Sequence, residues 1–504
     1  MSWTGTMLWS TFDFSTSAFK SQMAKATLQT LPYEVLVSIF DPLDLPSLVS
    51  LCLVCRVCNE AATPVLYRSV SWDLVKQGAS WDTEDPPWLA LKRLPWLRNH
   101  LQSLAICLDG DSTTQKRYDP NAASKWKQLY NRLLSRLTEE IQVLPSVQSL
   151  ELVKRRWDPM DVFTIKARWF GELVQGLGVR IQAIGLPELP YYASDCFRFS
   201  FYPCSLTVRG SVGDYLHSPY FKSWAPRLRR VSLPNYSDFS GLSGLFTSLV
   251  CVRVGSCRQV GEFLESISPS RGLESLDMVI TEYSLSSWAG AEHEEMDFPA
   301  LKYIRVRIEG GYTDMDHGKK LLQCITSTSV TLLSVSVDAD IPRRKCSASQ
   351  SFAIWVSRRH GHTLRTLHLG CLPLHDSIHQ VLSHCPQLKC IGFTQLWDQS
   401  DLSQLITLLC FSFSLKAICL TVGKRYSAHQ VYAALKQRFP HIRHFLLRTA
   451  PGSAIEYQLW EGKWRIDSYS GAVSRVIQQV ECSEKDWEAF ISREQREFVD
   501  SLAL

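Results

Sequence analysis

The side chains with the widest chemical reach in this 504-residue chain are its cysteines and histidines. Cys52, Cys55 and Cys58 stand three apart, the spacing from which one half of a zinc site is built. A structural zinc site needs a second pair at finger spacing, and none follows, so the three thiols read as packing groups in an apolar segment. His375 and His379 lie one helical turn apart, with His384 and Cys385 just beyond, the best metal-ligand arrangement in the chain. No third fixed ligand or acidic base accompanies them, and they read as surface or core residues. Gly176-Leu177-Gly178 lacks the third glycine of a dinucleotide turn, and Gly318-Lys319-Lys320 lacks both the earlier glycine and the Ser/Thr of a phosphate loop. Neither a Gly-x-Ser-x-Gly elbow nor a kinase signature set occurs, which leaves a triad assembled from distant segments as the one catalytic arrangement still open. The expectation is a chain with no catalytic residue, no metal and no cofactor.

Composition points the same way. Hydrophobic residues make up 45% and charged residues 20%, enough apolar material to offset chain entropy over most of the length. The formal net charge is +5, and runs such as Lys154-Arg155-Arg156 and Arg343-Arg344-Lys345 are short. A nucleic-acid partner would need a longer basic stripe, and none is expected. Nothing approaches the roughly 18 apolar residues of a membrane span, and the polar N-terminus containing Asp13 is unlike a signal peptide. The 16 cysteines are irregularly spaced within apolar segments, a usage that suits the reducing cytosol or nucleus.

These residues must be held by elements, and the sequence marks two kinds. Residues 1–27 have no sustained period and read as a flexible tail. Leu31, Val35, Leu36, Ile39, Phe40 and Leu43 then recur at helical intervals, with Pro32 in the first turn. After Asp44 and Pro46, Leu48, Leu51, Val54 and Cys55 resume the spacing until Pro64 closes the element and residues 65–70 turn strand-like. Two or three short helices over about forty residues cannot bury enough surface to stand alone, so this bundle needs a partner or a docked neighbour.

From about residue 95 a different unit returns: apolar, two variable, apolar, one variable, apolar. It occurs at Leu101, Leu104, Ile106; at Val147, Leu150, Leu152; and at Ile181, Ile184, Leu186. Long insertions at 107–146 and 187–227 interrupt it. It then runs from Leu228, Val231, Leu233 through Leu249, Leu273, Leu301, Leu332 (with Val335 and Val337), Leu364 and Leu388 to Leu415 and Ile442. These first positions recur at intervals of roughly 21 to 32 residues, against roughly 20 to 29 for a leucine-rich repeat. Prolines such as Pro226, Pro299, Pro386 and Pro440 mark the turn into the unit. The fold class expected is α/β: a small all-α bundle at 28–72, then an irregular leucine-rich-repeat solenoid at 95–450, stacked parallel strands with helices outside. Regular repeats carry Asn or Cys three residues past the last strand position, and only Cys257 fits, so the strands of an ordinary α/β domain remain the alternative. Residues 451–504 read as a hairpin around Gly462 and a capping helix begun by Ser483 and Asp486, with Trp487, Phe490, Ile491, Phe498 and Leu502 in one stripe.

The N-terminal bundle also carries a resemblance. Leu31-Pro32-Tyr33-Glu34-Val35-Leu36-Val37-Ser38-Ile39-Phe40, Leu43-Asp44-Leu45-Pro46-Ser47-Leu48, Leu53-Val54-Cys55-Arg56 and Pro64-Val65-Leu66-Tyr67-Arg68-Ser69-Val70 resemble the F-box motif. The arrangement, with weak repeats behind the box, is similar to the F-box proteins numerous in fungi. It departs at Cys58, where the family commonly has tryptophan, which implies looser packing or adaptor binding.

The resemblance implies a Skp-type adaptor and, through it, a cullin-based ubiquitin ligase as partners, with Leu31, Pro32, Leu36, Ile39, Leu43 and Leu51 as the apolar anchors. Some of these six must instead hold the box together, and the sequence does not divide the roles. The repeats would then hold an unidentified protein target. The contrasting readings are a repeat scaffold with no ubiquitin role and a hydrolase on an α/β framework, which would show a deep polar pocket.

Overall fold

The computed structural model describes residues 31–75, 90–109, 134–153, 160–187, 201–209, 216–281, 296–309, 321–337, 346–369, 375–396, 414–422 and 444–470, apart from isolated positions within those spans, together with residues 28, 431, 435 and 437. Three helices open it: α1 (Tyr33–Phe40), α2 (Leu45–Cys52) and α3 (Arg56–Leu66). Pro64 lies inside α3 rather than ending it. Proline removes one donor near the end of a helix whose last turn is completed by the Tyr67 N–H on Thr63 O at 3.0 Å. Val65 and Leu66 are therefore helical, and the first strand starts at Ser69.

Strands then follow in steady succession: β1 (Ser69–Val75), β2 (Ser103–Asp109), β3 (Ser149–Val153), β4 (Ala183–Leu186), β5 (Ser205–Val208), β6 (Arg230–Ser237), β7 (Cys251–Cys257), β8 (Ser275–Thr281), β9 (Met296–Asp297), β10 (Tyr303–Glu309), β11 (Ile325–Thr326), β12 (Leu332–Val337), β13 (Thr366–Leu369), β14 (Cys390–Leu396), β15 (Ala417–Val422), β16 (His444–Ala450), β17 (Ser453–Trp460) and β18 (Lys463–Ser470). Among the described residues, sixteen of them form one sheet in chain order, while β9 and β11 pair with each other. Every neighbour from β1 to β16 is parallel, and β17 and β18 close the sheet as an antiparallel hairpin. This is the stacking of a leucine-rich-repeat solenoid, in which each unit pairs only with its sequence neighbours.

The register explains why the repeat has its spacing. Leu104, Leu150, Ile184, Leu206, Val231, Val252, Leu276, Ile304, Leu333, Leu367, Ile391 and Ile418 occupy one row across twelve strands. All of them are buried in a single core. Segments between strands cover that row, as in the helix Met160–Leu177, whose Phe170, Leu173, Val174 and Leu177 are buried at helical spacing. The alternate row faces away from this core and is mostly polar.

A main-chain relay fixes each strand to the one before. The Gln102 and Ser103 N–H groups both donate to Arg68 O, at 2.9 Å each. Gln148 and Ser149 donate in the same way to Gln102 O, and Arg365 and Thr366 to Thr331 O. Two successive donors on one carbonyl satisfy the turn into the strand, where an orphaned group would be costly. Hydroxyls supply further turn bonds on this side: Ser327 Oγ donates to Leu301 O at 2.8 Å and Thr363 Oγ1 to Val330 O at 2.6 Å. These bonds stand beside the sparse Asn/Cys signal of the sequence.

Three expectations need correction. The sheet begins at β1, directly behind the bundle, not near residue 95; Tyr67, Val70 and Trp72 make its first unit, with aromatics where the pattern expects aliphatic residues. The 187–227 stretch contains a full repeat, Pro203, Leu206 and Val208, concealed because proline holds the first apolar position. The unit assigned to Leu332, Val335 and Val337 is Val330, Leu333 and Val335, since Leu333 pairs with Ile304 and Leu332 falls in the other row. Two adjacent leucines made either phase equally apolar in sequence. The 1–27 segment, both short basic runs and the helix expected from Ser483 lie outside the described residues.

One close approach gives a stability test. A Cβ on Gly361 would sit 2.2 Å from both His384 O and Ser357 O, whereas one on Gly272 would meet nothing within 4 Å. Gly361→Ala is predicted to lower the urea midpoint at a cost of about 1–3 kcal/mol, while Gly272→Ala stays within about 0.5 kcal/mol of wild type.

Candidate protein-docking site

The helical bundle has an inside and an outside that do not match its hydrophobicity. Leu36, Phe40, Leu48, Cys58, Ala61 and Ala62 form its core, separate from the core of the sheet. Leu36 and Phe40 are one turn apart on α1 and face inward together. Cys58 fills the site opposite them, fully buried, and burial with the neighbouring Cys55 thiol pushes its pKa up to about 11. The Cys55 thiol caps α3 by accepting from the Cys58 N–H at 3.4 Å, and Asn59 Nδ2 donates to Cys52 O at 2.9 Å, tying α3 to the end of α2.

On the outside the chain leaves an apolar surface uncovered. Leu45 is 63% exposed, Val49 46%, Leu53 84% and Val54 63%, with Leu43 at 37%, and Tyr33 and Val35 are exposed on α1. Leu45 and Val49 lie one turn apart on α2, so they share a face, which the turn after α2 continues through Leu53. A cluster of large apolar side chains on a small bundle is the signature of a docking surface, since each would gain about 1.5–3 kcal/mol on burial.

The six anchors named from the sequence separate into three groups. Leu36 belongs to the bundle's own core, one of the residues that hold the box together, with no exposed surface. Leu31, Ile39 and Leu51 are partly buried against that core. Pro32 and Leu43 are exposed. Leu45, Val49, Leu53 and Val54, absent from the sequence-derived set, are the most exposed of the group. Helical spacing identified which residues are apolar, but with short helices it could not say which of two apolar stripes faces in.

The bundle is joined to the sheet through Arg68. Its guanidinium pairs with the Asp41 carboxylate at the end of α1, and its carbonyl accepts the two N–H groups that start β2. Tyr67, at the end of α3, also packs against the sheet's core, so the bundle and the repeat array meet at residues 67 and 68.

The sheet's polar row makes a second surface. Glu151 on β3 pairs with Arg209 beyond β5, reaching over Gly185 on β4. Gly185 has to be small there: a Cβ would meet Glu151 Cγ at 2.6 Å. On β7, β8 and β10, Arg253 and Arg305 both reach Asp277 Oδ2, at 3.5 and 3.8 Å. Cys251 lies on the same face beside Arg230, Arg253 and Asp277, its thiol pushed up to about 12 by burial.

Of the metal candidates, the side chains of His375 and His379 lie outside the described residues. Cys52, Cys55 and Cys58 serve the bundle's packing and capping, and His384 Nδ1 lies 2.6 Å from Gln380 O. Burial pushes the Cys385 thiol up to about 12. Among the described residues no three metal-ligating side chains converge, and no helix is long and apolar enough to cross a membrane.

Residues 28–71 match the F-box-like family model, a span that holds the whole bundle and the start of β1. Among solved structures the chain is similar to the leucine-rich repeat-containing protein LegL7 from Legionella pneumophila, at 13% identity over 73% of this chain and 98% of that one, with a TM-score of 0.34. The repeat assignment here rests on the chain's own strand ladder. No curated protein matches the sequence.

The inward and outward residues should respond differently to truncation. Leu36→Ala is predicted to cost the bundle about 2–5 kcal/mol by opening a cavity. Leu53→Ala is predicted to stay within about 0.5 kcal/mol. Hydrogen exchange of the α1 and α3 amides in the full chain reads the difference.

Proposed function

We propose that this chain is the substrate-recognition subunit of a Skp–cullin–F-box ubiquitin ligase. The single observation behind this reading is the exposed apolar face of Leu43, Leu45, Val49, Leu53 and Val54 on a segment that matches the F-box-like family. In this reading the face is buried against a Skp-type adaptor, which links the chain to a cullin, and the sheet holds a protein target. The chain itself performs no chemistry. It raises the effective concentration of activated ubiquitin around the target's lysines by fixing both in one assembly. A cytoplasmic or nuclear location follows from such partners.

Between the box and the first repeat, the Arg68 carbonyl accepts the two N–H groups that begin β2 and its exposed guanidinium pairs with Asp41.

The test is co-purification of the full chain with a Skp-type adaptor. Wild type is predicted to retain the adaptor, and the double variant Leu45→Asp/Leu53→Asp to lose at least about tenfold in affinity, because two carboxylates would be desolvated at the centre of the interface. Both positions are exposed, so the fold survives the change. Failure of wild type to hold the adaptor, or equal retention by the variant, overturns the proposal and leaves a repeat scaffold without a ubiquitin role.

A further inference from the structure

Cys55-Arg56-Val57-Cys58 spans the first turn of α3, and its two thiols stand in unlike surroundings. Cys55 is the N-cap, with an extended backbone and a part-exposed side chain, whereas Cys58 is fully buried with Leu36, Phe40, Ala61 and Ala62. The Asn59 N–H on Cys55 O at 2.9 Å closes the turn between them. One helical turn places Cα atoms three residues apart at about 5 Å, inside the range that a disulfide spans. The sulfurs are also within reach of each other. Cys55 Sγ accepts the Cys58 N–H at 3.4 Å. The Cys58 thiol is held protonated, its pKa pushed up to about 11, by burial first, then by its hydrogen bond to Cys55 and by the nearness of Cys55 and Cys52.

From this geometry we propose that Cys55 and Cys58 form a reversible disulfide when the chain meets hydrogen peroxide, which makes the start of α3 a redox-modification site. An N–H donor and the N-terminus of an 11-residue helix both favour a thiolate at Cys55. Sulfur in that form attacks one oxygen of the peroxide. The O–O bond breaks, hydroxide leaves and takes up the proton that Cys55 lost, and Cys55 becomes a sulfenic acid. The Cys58 sulfur then attacks the Cys55 sulfur: the S–O bond breaks, the S–S bond forms, and the oxygen leaves with the Cys58 proton as a second water. Two thiols are oxidised and one peroxide is reduced to two waters. A dithiol reductant reverses the bond by exchange. Cys58 is suited to the second step alone, because solvent does not reach it. A reducing compartment does not oppose such a bond, since disulfides there are transient and redox-sensing. The inference stands apart from the ligase reading, because it concerns the chain by itself.

The experiment uses the full chain, reduced and then exposed to hydrogen peroxide, with the remaining thiols alkylated before digestion. Trypsin cuts after Arg56, so a Cys55–Cys58 bond holds two peptides together and is read by mass spectrometry. In wild type that link is predicted to form at least about tenfold faster than the buried Cys251, Cys257 and Cys385 thiols are oxidised, and to vanish on adding dithiothreitol. Cys52→Ser is predicted to leave the link in place, which separates it from a Cys52–Cys58 bond in the same pair of peptides. Cys55→Ser, which keeps an N-cap acceptor and so the fold, abolishes it. Cys58→Ala, a small apolar replacement in the core, leaves Cys55 as a sulfenic acid that dimedone traps. A link that needs Cys52, a bond within residues 52–55 instead, or a link that forms only after urea unfolds the chain overturns the proposal. Persistence of both thiols while the buried ones are oxidised overturns it too. Adaptor retention measured on the reduced chain keeps the two ideas apart. Loss of the adaptor with the link formed sinks only the ligase reading, and retention without the link sinks only this one.

Discussion

No unit of this chain can cover its own apolar row, and the structure is arranged around that constraint. Each strand offers two or three aliphatic side chains to a core that is completed only by the units on either side. The paired N–H bonds on a single carbonyl at the entrances of β2 to β8, β10, β13 and β14 hold successive units in one phase. A slip of one residue would turn the aliphatic row outward and the polar row inward. Because the phase is kept, residues separated by dozens of positions meet at fixed distances on the polar face. Arg253, Asp277 and Arg305 meet for that reason, as do Glu151 and Arg209.

The bundle in front of the array obeys the opposite rule. It is too small for all its apolar residues, and after Leu36, Phe40, Leu48 and Cys58 have filled its core, the next leucines and valines remain outside. Burial of Cys58 shows how the bundle closes without a large aromatic at that position: Ala61 and Ala62 on the same helix keep the space small. The bundle is a part with one face completed and one face open, connected to the sheet at Tyr67 and Arg68.

Much of this was legible in the sequence. The repeat's period was carried by rows of Leu, Ile and Val that nothing else in the chain imitates, and the Leu-Pro start of the box by a motif with a fixed order of residue types. What escaped did so for identifiable reasons. A proline at position 203 and aromatics at 67 and 72 stood in apolar sites of the ladder, and Leu332 beside Leu333 left the phase undecided. The inward role of Leu36 and the outward one of Leu53 depend on how three short helices rotate against each other, which spacing alone does not set. The cluster of Arg253, Asp277 and Arg305 was invisible to a search for basic runs, because its members are neighbours only after the strands are in register.

The most direct test of the central claim, that the outer face of α1 and α2 exists to be covered by another polypeptide, is amide hydrogen exchange on the full chain with and without a Skp-type adaptor. The account predicts slowed exchange within residues 31–54 and little change along β6 to β10. Unchanged exchange in 31–54, or slowing confined to the sheet, would contradict it.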